Sequence, residues 1–279
     1  MTNSITVRYG ENIKYMLNCA AKAGFKEVLI GLGACDALLK DDYNREIEYL
    51  QQLLEENGLK CTQTHLPDYH LTISCEETTK EKELMIKRAI EVSGKLGASW
   101  TTCHPRTAVN AGYSRKVSFE SNKAKLSEYL EIAEKCGVGL AVENMPLYPI
   151  MNPLWRFFGG GWEELIELCD SFKSDKIGVC WDFGHANTAS LDQEKAIKDL
   201  GERIKMTHVH DNYRNGDHHQ IPAMGDLLWG CIDWKKPMSA LKEINYNGSL
   251  ALELITPPLS MCESYFKLGY DSLEYLKTL

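Results

Sequence analysis

The chain has 279 residues, enough for one large α/β domain with a well-buried core. Its 31 Lys and Arg stand against 39 Asp and Glu, and the resulting net charge of −8 argues against a nucleic-acid partner. No apolar run approaches bilayer length and no signal-peptide pattern opens the chain, so no membrane segment and a cytoplasmic location are expected. The ten cysteines form no CxxC pair, and Cys61, Cys103, Cys169 and Cys180 lie in apolar stretches, which reads as reduced core thiols.

Strand-like runs and helical periodicity alternate along the chain, the pattern of a βα repeat with a parallel sheet. Ile5 to Arg8 is the first predicted strand. A helix from about Asn12 to Ala23 stops at Gly24, before the strand Glu27 to Ile30. A helix from about Tyr43 to Asn57, stopped by Gly58, leads to the strand Lys60 to His65. The helix Thr78 to Leu96 leads to the strand Trp100 to His104, and the helix Ser118 to Cys136 to the strand Gly139 to Glu143. Strands Ile177 to Asp182, Ile204 to His208 and Leu250 to Glu253 follow. Later helices fall near Trp162 to Asp170, Asp192 to Leu200, Pro237 to Ile244 and Met261 to Lys277. Eight strands without a linker predict a single-domain (β/α)8 barrel spanning residues 1–279. The loops after Glu143 and His208 are long and rich in Pro, Gly and aromatics, as loops that build a pocket or its lid usually are.

Glu143, Asp182, His208 and Glu253 each end one of these short apolar runs. A parallel barrel opens all its strand C-termini on one face, so the four converge there. Three carboxylates and an imidazole at one point repel or stay wet unless a divalent cation holds them. His65 and His104 end two earlier strands, His185 follows Asp182 by three residues, and His208 and His210 share one face of an extended strand. Asp217 and His219 stand in the next loop. A lone strand histidine is more often a hydrogen-bonded core residue than a ligand; that reading weakens when most of the eight histidines gather at strand ends.

The segments Val-Glu143-Asn-Met-Pro, Cys-Trp-Asp182-Phe-Gly-His185-Ala-Asn, His208-Val-His-Asp-Asn, Gly225-Asp and Leu-Glu253-Leu resemble the xylose isomerase-like TIM-barrel superfamily. That superfamily includes ketose 3-epimerases, inositol-pathway dehydratases and isomerases, and endonuclease IV enzymes (the AP endonuclease family 2). The resemblance covers nearly the whole chain from about Asn12. It implies one metal on Glu143, Asp182, His208 and Glu253, with Mn²⁺, Co²⁺ or Mg²⁺ favoured by the carboxylate-rich set. It implies His185 and Arg214 as substrate-binding residues, and Arg214, six residues after His208, favours His208 over His210 as the ligand. His65, His104, His210 and Trp181 are further candidates for substrate contact. The three-zinc pattern of endonuclease IV is also matched in order by His65, His104, Glu143, Asp182, His185, His208, Asp217, His219 and Glu253. Asp217 and His219 are therefore additional metal or substrate ligands, with Zn²⁺ the ion if the site is multinuclear.

Trp155, Phe157, Phe158, Trp181, Phe183 and Trp229 are candidates for an aromatic sugar floor, with ordinary packing as the competing reading. Gly159-Gly-Gly161, before a helix, offers backbone N–H groups to an anion, although a flexible lid explains it equally well.

The implied function is a metal-dependent isomerase or epimerase of a sugar or sugar phosphate. One of Glu143 and Glu253 takes a proton next to a carbonyl and the other returns it, through an enediolate. A dehydratase or lyase on the same residues, or an endonuclease IV-type zinc phosphodiesterase, are the alternatives. The expected partner is a small sugar or sugar phosphate, and a homo-oligomer is compatible with the sequence.

Overall fold

The computed structural model describes residues 1–33, 36–67, 76–108, 113–147 and 156–279. Eight parallel strands close in sequence order, each hydrogen-bonded to the next and β8 to β1. They are β1 (Thr2–Arg8), β2 (Glu27–Gly31), β3 (Lys60–His65), β4 (Trp100–Cys103), β5 (Gly139–Glu143), β6 (Ile177–Asp182), β7 (Ile204–Val209) and β8 (Ser249–Leu252). Helices α1 (Ile13–Ala23), α2 (Asn44–Glu56), α3 (Glu76–Lys95), α4 (Arg115–Cys136) and α5 (Trp162–Asp170) connect the first six strands. Helices α6 (Phe183–Thr188), α7 (Gln193–Leu200), α8 (Lys235–Glu243) and α9 (Cys262–Thr278) complete the outer ring. This is a (β/α)8 TIM barrel.

The periodicity placed every strand, and the helix ends follow their stop signals. Gly24 caps α1 with φ 113° and Gly137 caps α4 with φ 73°, left-handed conformations that cost glycine little. One α-helix among the described residues escaped the sequence reading. The six-residue α6 begins directly at the end of β6, where Asp182 leaves the strand and becomes the helix N-cap. So short a helix has no hydrophobic period to detect.

Side-chain alternation divides the strands between two cores. Ile5, Val7, Val28, Ile30, Leu140, Val142, Val179, Trp181, Leu250 and Leu252 belong to the outer core against the helices. Leu29, Ala141, Cys180, Met206 and Ala251 form a small inner core on the barrel axis. The period of two then dictates what stands one layer above that inner core. Two residues after Ala141 comes Glu143, after Cys180 Asp182, after Met206 His208 and after Ala251 Glu253. The four candidate ligands therefore point into the barrel mouth because the inner core below them is in register.

Cys61, Cys103, Cys169 and Cys180 are buried and free, and burial pushes the Cys61 thiol up to about 12. No helix among the described residues is long and apolar enough to cross a membrane.

Candidate metal and active site

A cavity of about 340 Å³ opens at the C-terminal end of the strands, lined by Thr6, Arg8, Gly31, Gly33, His65, His104, Glu143, His185, Asp217, His219 and Glu253. A larger space of about 510 Å³ lies at the opposite end, around Glu27, Gln63, Trp100, Lys205 and Ser249. That end of a barrel serves stability, and the cluster of buried titratable groups lies entirely at the first.

Glu143, Asp182, His208 and Glu253 bring ligand atoms within 4.8 Å of one another. His208 Nδ1 is 2.9 Å from Glu143 Oε1, 3.1 Å from Glu253 Oε2 and 3.7 Å from Asp182 Oδ2. Its Nε2 faces the Thr102 hydroxyl at 3.3 Å, which leaves Nδ1 turned to the carboxylates. Glu143, Asp182 and His208 are completely buried and Glu253 is 9% exposed. Burial alone would raise the Glu143 carboxyl, but the neighbouring His208 and His104 hold it well below the usual carboxylate range. Glu253 is lowered by His208 against both burial and the charge of Glu143. Three carboxylates sharing a buried site with one imidazole suit a divalent cation, and the donor set is that of an oxygen-rich metal site.

The second oxygen of Glu143 looks the other way. Oε2 lies 3.0 Å from His104 Nε2 and 3.4 Å from His65 Nε2. Beyond Asp182, His185 Nε2 is 3.2 Å and His219 Nε2 3.0 Å from Asp217 Oδ2. The Nδ1 atoms of His65, His185 and His219 donate to the carbonyls of Leu66, Asn144 and Glu253 at 2.7, 2.8 and 2.7 Å. A carbonyl only accepts, so each Nδ1 carries a proton and each neutral ring turns an Nε2 lone pair toward a carboxylate. Lone pair against carboxylate is stable only with a cation between them, either a proton or a metal. Burial opposes protonation, yet the facing acids raise His65 and His185 above the ordinary histidine value and bring His219 to about 9.

The structure therefore brings His65, His104, Glu143, Asp182, His185, His208, Asp217, His219 and Glu253 into one continuous cluster. His210 belongs to the cluster without lining the cavity: it is completely buried, with Nε2 3.1 Å from the Asp182 carboxylate and 3.6 Å from Asp217 Oδ1, and its ring stacks on His219. Two other candidates, Trp181 and Arg214, lie elsewhere. Trp181 sits on β6 between two inward residues, so it points outward into the outer core and reaches no part of the cavity. Arg214 adopts φ 64°, donates through Nε to Asn187 Oδ1 at 3.1 Å, and lines a separate space of about 240 Å³.

The aromatic floor is not formed by the described residues either. Phe158 and Phe183 are core residues, and Trp229 is 73% exposed on the rim. Phe157 is half-buried and does not line the cavity, and Trp155 lies outside the described residues. The Gly159 N–H donates to Glu164 Oε2 and the Gly160 N–H to the Phe157 carbonyl, so these donors are already used within the chain. Four cavity residues went unnoticed in the sequence, Thr6, Arg8, Gly31 and Gly33. For Thr6 and Arg8 the signal was available in the inward register of β1.

The model of the family described as "Xylose isomerase-like TIM barrel" matches residues 17–277. An uncharacterized protein of Methanocaldococcus jannaschii, MJ1311, is 30% identical over 215 residues, covering 75% of this chain and 69% of that protein. The D-psicose 3-epimerase of Ruminiclostridium cellulolyticum is 22% identical over 251 residues, covering 86% of this chain and 77% of the epimerase. Among solved structures, the IOLI protein with a bound zinc atom superposes with a TM-score of 0.77 at 19% identity, covering 100% of this chain and 98% of that one. Both the match along the chain and the closed eight-stranded barrel place it: the chain belongs to the xylose isomerase-like TIM-barrel family.

Proposed function

We propose that this protein is a metal-dependent isomerase or epimerase of a sugar or sugar phosphate. The observation that carries the reading is the convergence of Glu143, Asp182, His208 and Glu253 at the mouth of the barrel. Those four would hold one divalent cation, which would polarise a substrate carbonyl and offset the negative charge that develops on its oxygens. Glu143 and Glu253 both line the cavity, at the end of β5 and directly after β8. One carboxylate takes a proton from the carbon beside the carbonyl. The other returns it to the opposite face of that carbon for an epimerase, or to the neighbouring carbon for an isomerase. His185 and His65 would orient substrate hydroxyls through their Nε2 edges. Sugar epimerases among the chain's relatives support the same chemistry.

The test is a panel of ketoses, their phosphates and inososes, assayed with and without added metal in deuterated water. Turnover with deuterium incorporated at the carbon next to the carbonyl is expected. Loss of water from the substrate would instead move the protein to the dehydratase alternative, and silence across the panel would end the proposal.

A second reading rests on the three locked histidines. His65, His185 and His219 each present a lone pair to a carboxylate. Those edges, together with Glu143 and Asp217, would hold additional metal ions, zinc above all. A multinuclear zinc site favours phosphodiester hydrolysis, and counting the metal ions decides between the readings.

A further inference from the structure

The metal-ligand layer of the barrel is continued on β1 and β2 by residues of a different kind. β1 carries Ile5 and Val7 in the outer core, so Thr6 and Arg8 face inward, and both line the cavity. On β2, Leu29 belongs to the inner core, and Gly31 stands above it in the ligand layer. Arg8 and Gly31 are register partners. A Cβ on Gly31 would stand 3.5 Å from Arg8 Cγ, ordinary contact distance, so the arginine stem runs beside the bare backbone of β2. Gly33, on the same rim, has nothing within 4 Å of where its Cβ would stand. The side of the cavity formed by β1 and β2 is thus an open wall of glycine with one long cation.

Arg8 is the only Arg or Lys among the described residues lining this cavity. Among the described residues it makes no ion pair, although the cavity also contains Glu143, Asp217 and Glu253. Those carboxylates are turned to the histidines. An arginine beside a carboxylate-rich site but bound to none of them is available for an outside anion, and its planar fork matches phosphate and carboxylate oxygens.

Resting on the proposed sugar chemistry, we infer that Arg8 binds an oxyanion on the substrate, and that this cavity takes charged sugars, phosphate esters or sugar acids, in preference to free ones. The arrangement separates the two tasks. The β5–β8 side holds the reacting carbons, and the β1–β2 side holds the anionic end that fixes their register.

The experiment is titration calorimetry of the protein as purified with D-fructose, D-fructose 1-phosphate, D-fructose 6-phosphate and D-fructuronate, alongside the turnover panel. Wild type should bind at least one charged ligand more tightly than fructose. That advantage should fall about 10- to 100-fold in Arg8→Ala, the loss expected for one charge-assisted contact, and survive in part in Arg8→Lys. The phosphate and uronate arms identify which oxyanion is the natural one. Equal binding of charged and free ketoses by wild type, or an advantage unchanged in Arg8→Ala, overturns the inference. Binding is read without turnover, so the two ideas fail separately. Arg8-dependent binding of a phosphate with no isomerisation defeats the proposed reaction alone; turnover of free ketoses without a charged preference defeats the Arg8 assignment alone. Melting temperature and metal content confirm that the exposed substitution leaves the fold intact.

Discussion

Asp182 Oδ1 accepts the backbone N–H of His185 at 2.6 Å, while the same carboxylate faces His208 and His210. One side chain thus starts helix α6 and supplies a candidate metal ligand, so the orientation of His185 is tied to that of the ligand. Asp182→Asn keeps an N-cap acceptor but removes the charge. It should weaken metal binding strongly with little loss of stability, whereas Asp182→Ala should also lose about 1 kcal/mol of cap stability. Metal titration and thermal unfolding of the two variants separate these effects; equal metal affinity in Asn and wild type would remove Asp182 from the ligand set.

Glu253→Gln is expected to lose metal affinity and turnover together, because the residue serves as both ligand and base. Steady-state kinetics and metal analysis on one preparation test this. Normal turnover by the variant would end the assignment of Glu253.

Thr102 holds the far edge of His208, with its hydroxyl 3.3 Å from Nε2. Thr102→Val keeps the shape and deletes that partner, freeing the ring to lose its orientation. Metal affinity should fall about 10- to 100-fold, the usual cost of removing a hydrogen bond behind a ligand. An unchanged affinity would show that packing alone orients His208.

Metal content distinguishes one ion from several. With a mononuclear site, protein prepared without added metal holds one ion per chain and His219→Ala does not change that number. About three zinc ions per chain, falling on His219→Ala, would establish the multinuclear alternative for His65, His104, His185, Asp217 and His219.

The chain should not incise duplex DNA at abasic sites. Its net charge of −8 supplies little of the phosphate attraction that dominates such binding. Metal-dependent incision at enzymatic rates, lost in Asp182→Asn, would promote the phosphodiesterase reading.

The sequence by itself determined the barrel and most of its mouth. A hydrophobic run of five or six residues ending in Glu143, Asp182 or His208 fixes both the strand and the face of its last side chain, because alternation has a period of two. The position of Trp181 was implicit in the same rule: next to an inward Asp182, it had to turn out into the helices. Tertiary structure alone decided the rest. Only the closed barrel put Arg8 at a cavity whose other residues lie up to 245 positions further along the chain. Arg214 was turned onto Asn187 by a left-handed loop backbone that a motif match does not encode. The tautomers of His65, His185 and His219 were set by carbonyl oxygens of Leu66, Asn144 and Glu253. Backbone carbonyls have no signature in a sequence, so which histidine edge meets the cavity is settled only when the chain has folded around it.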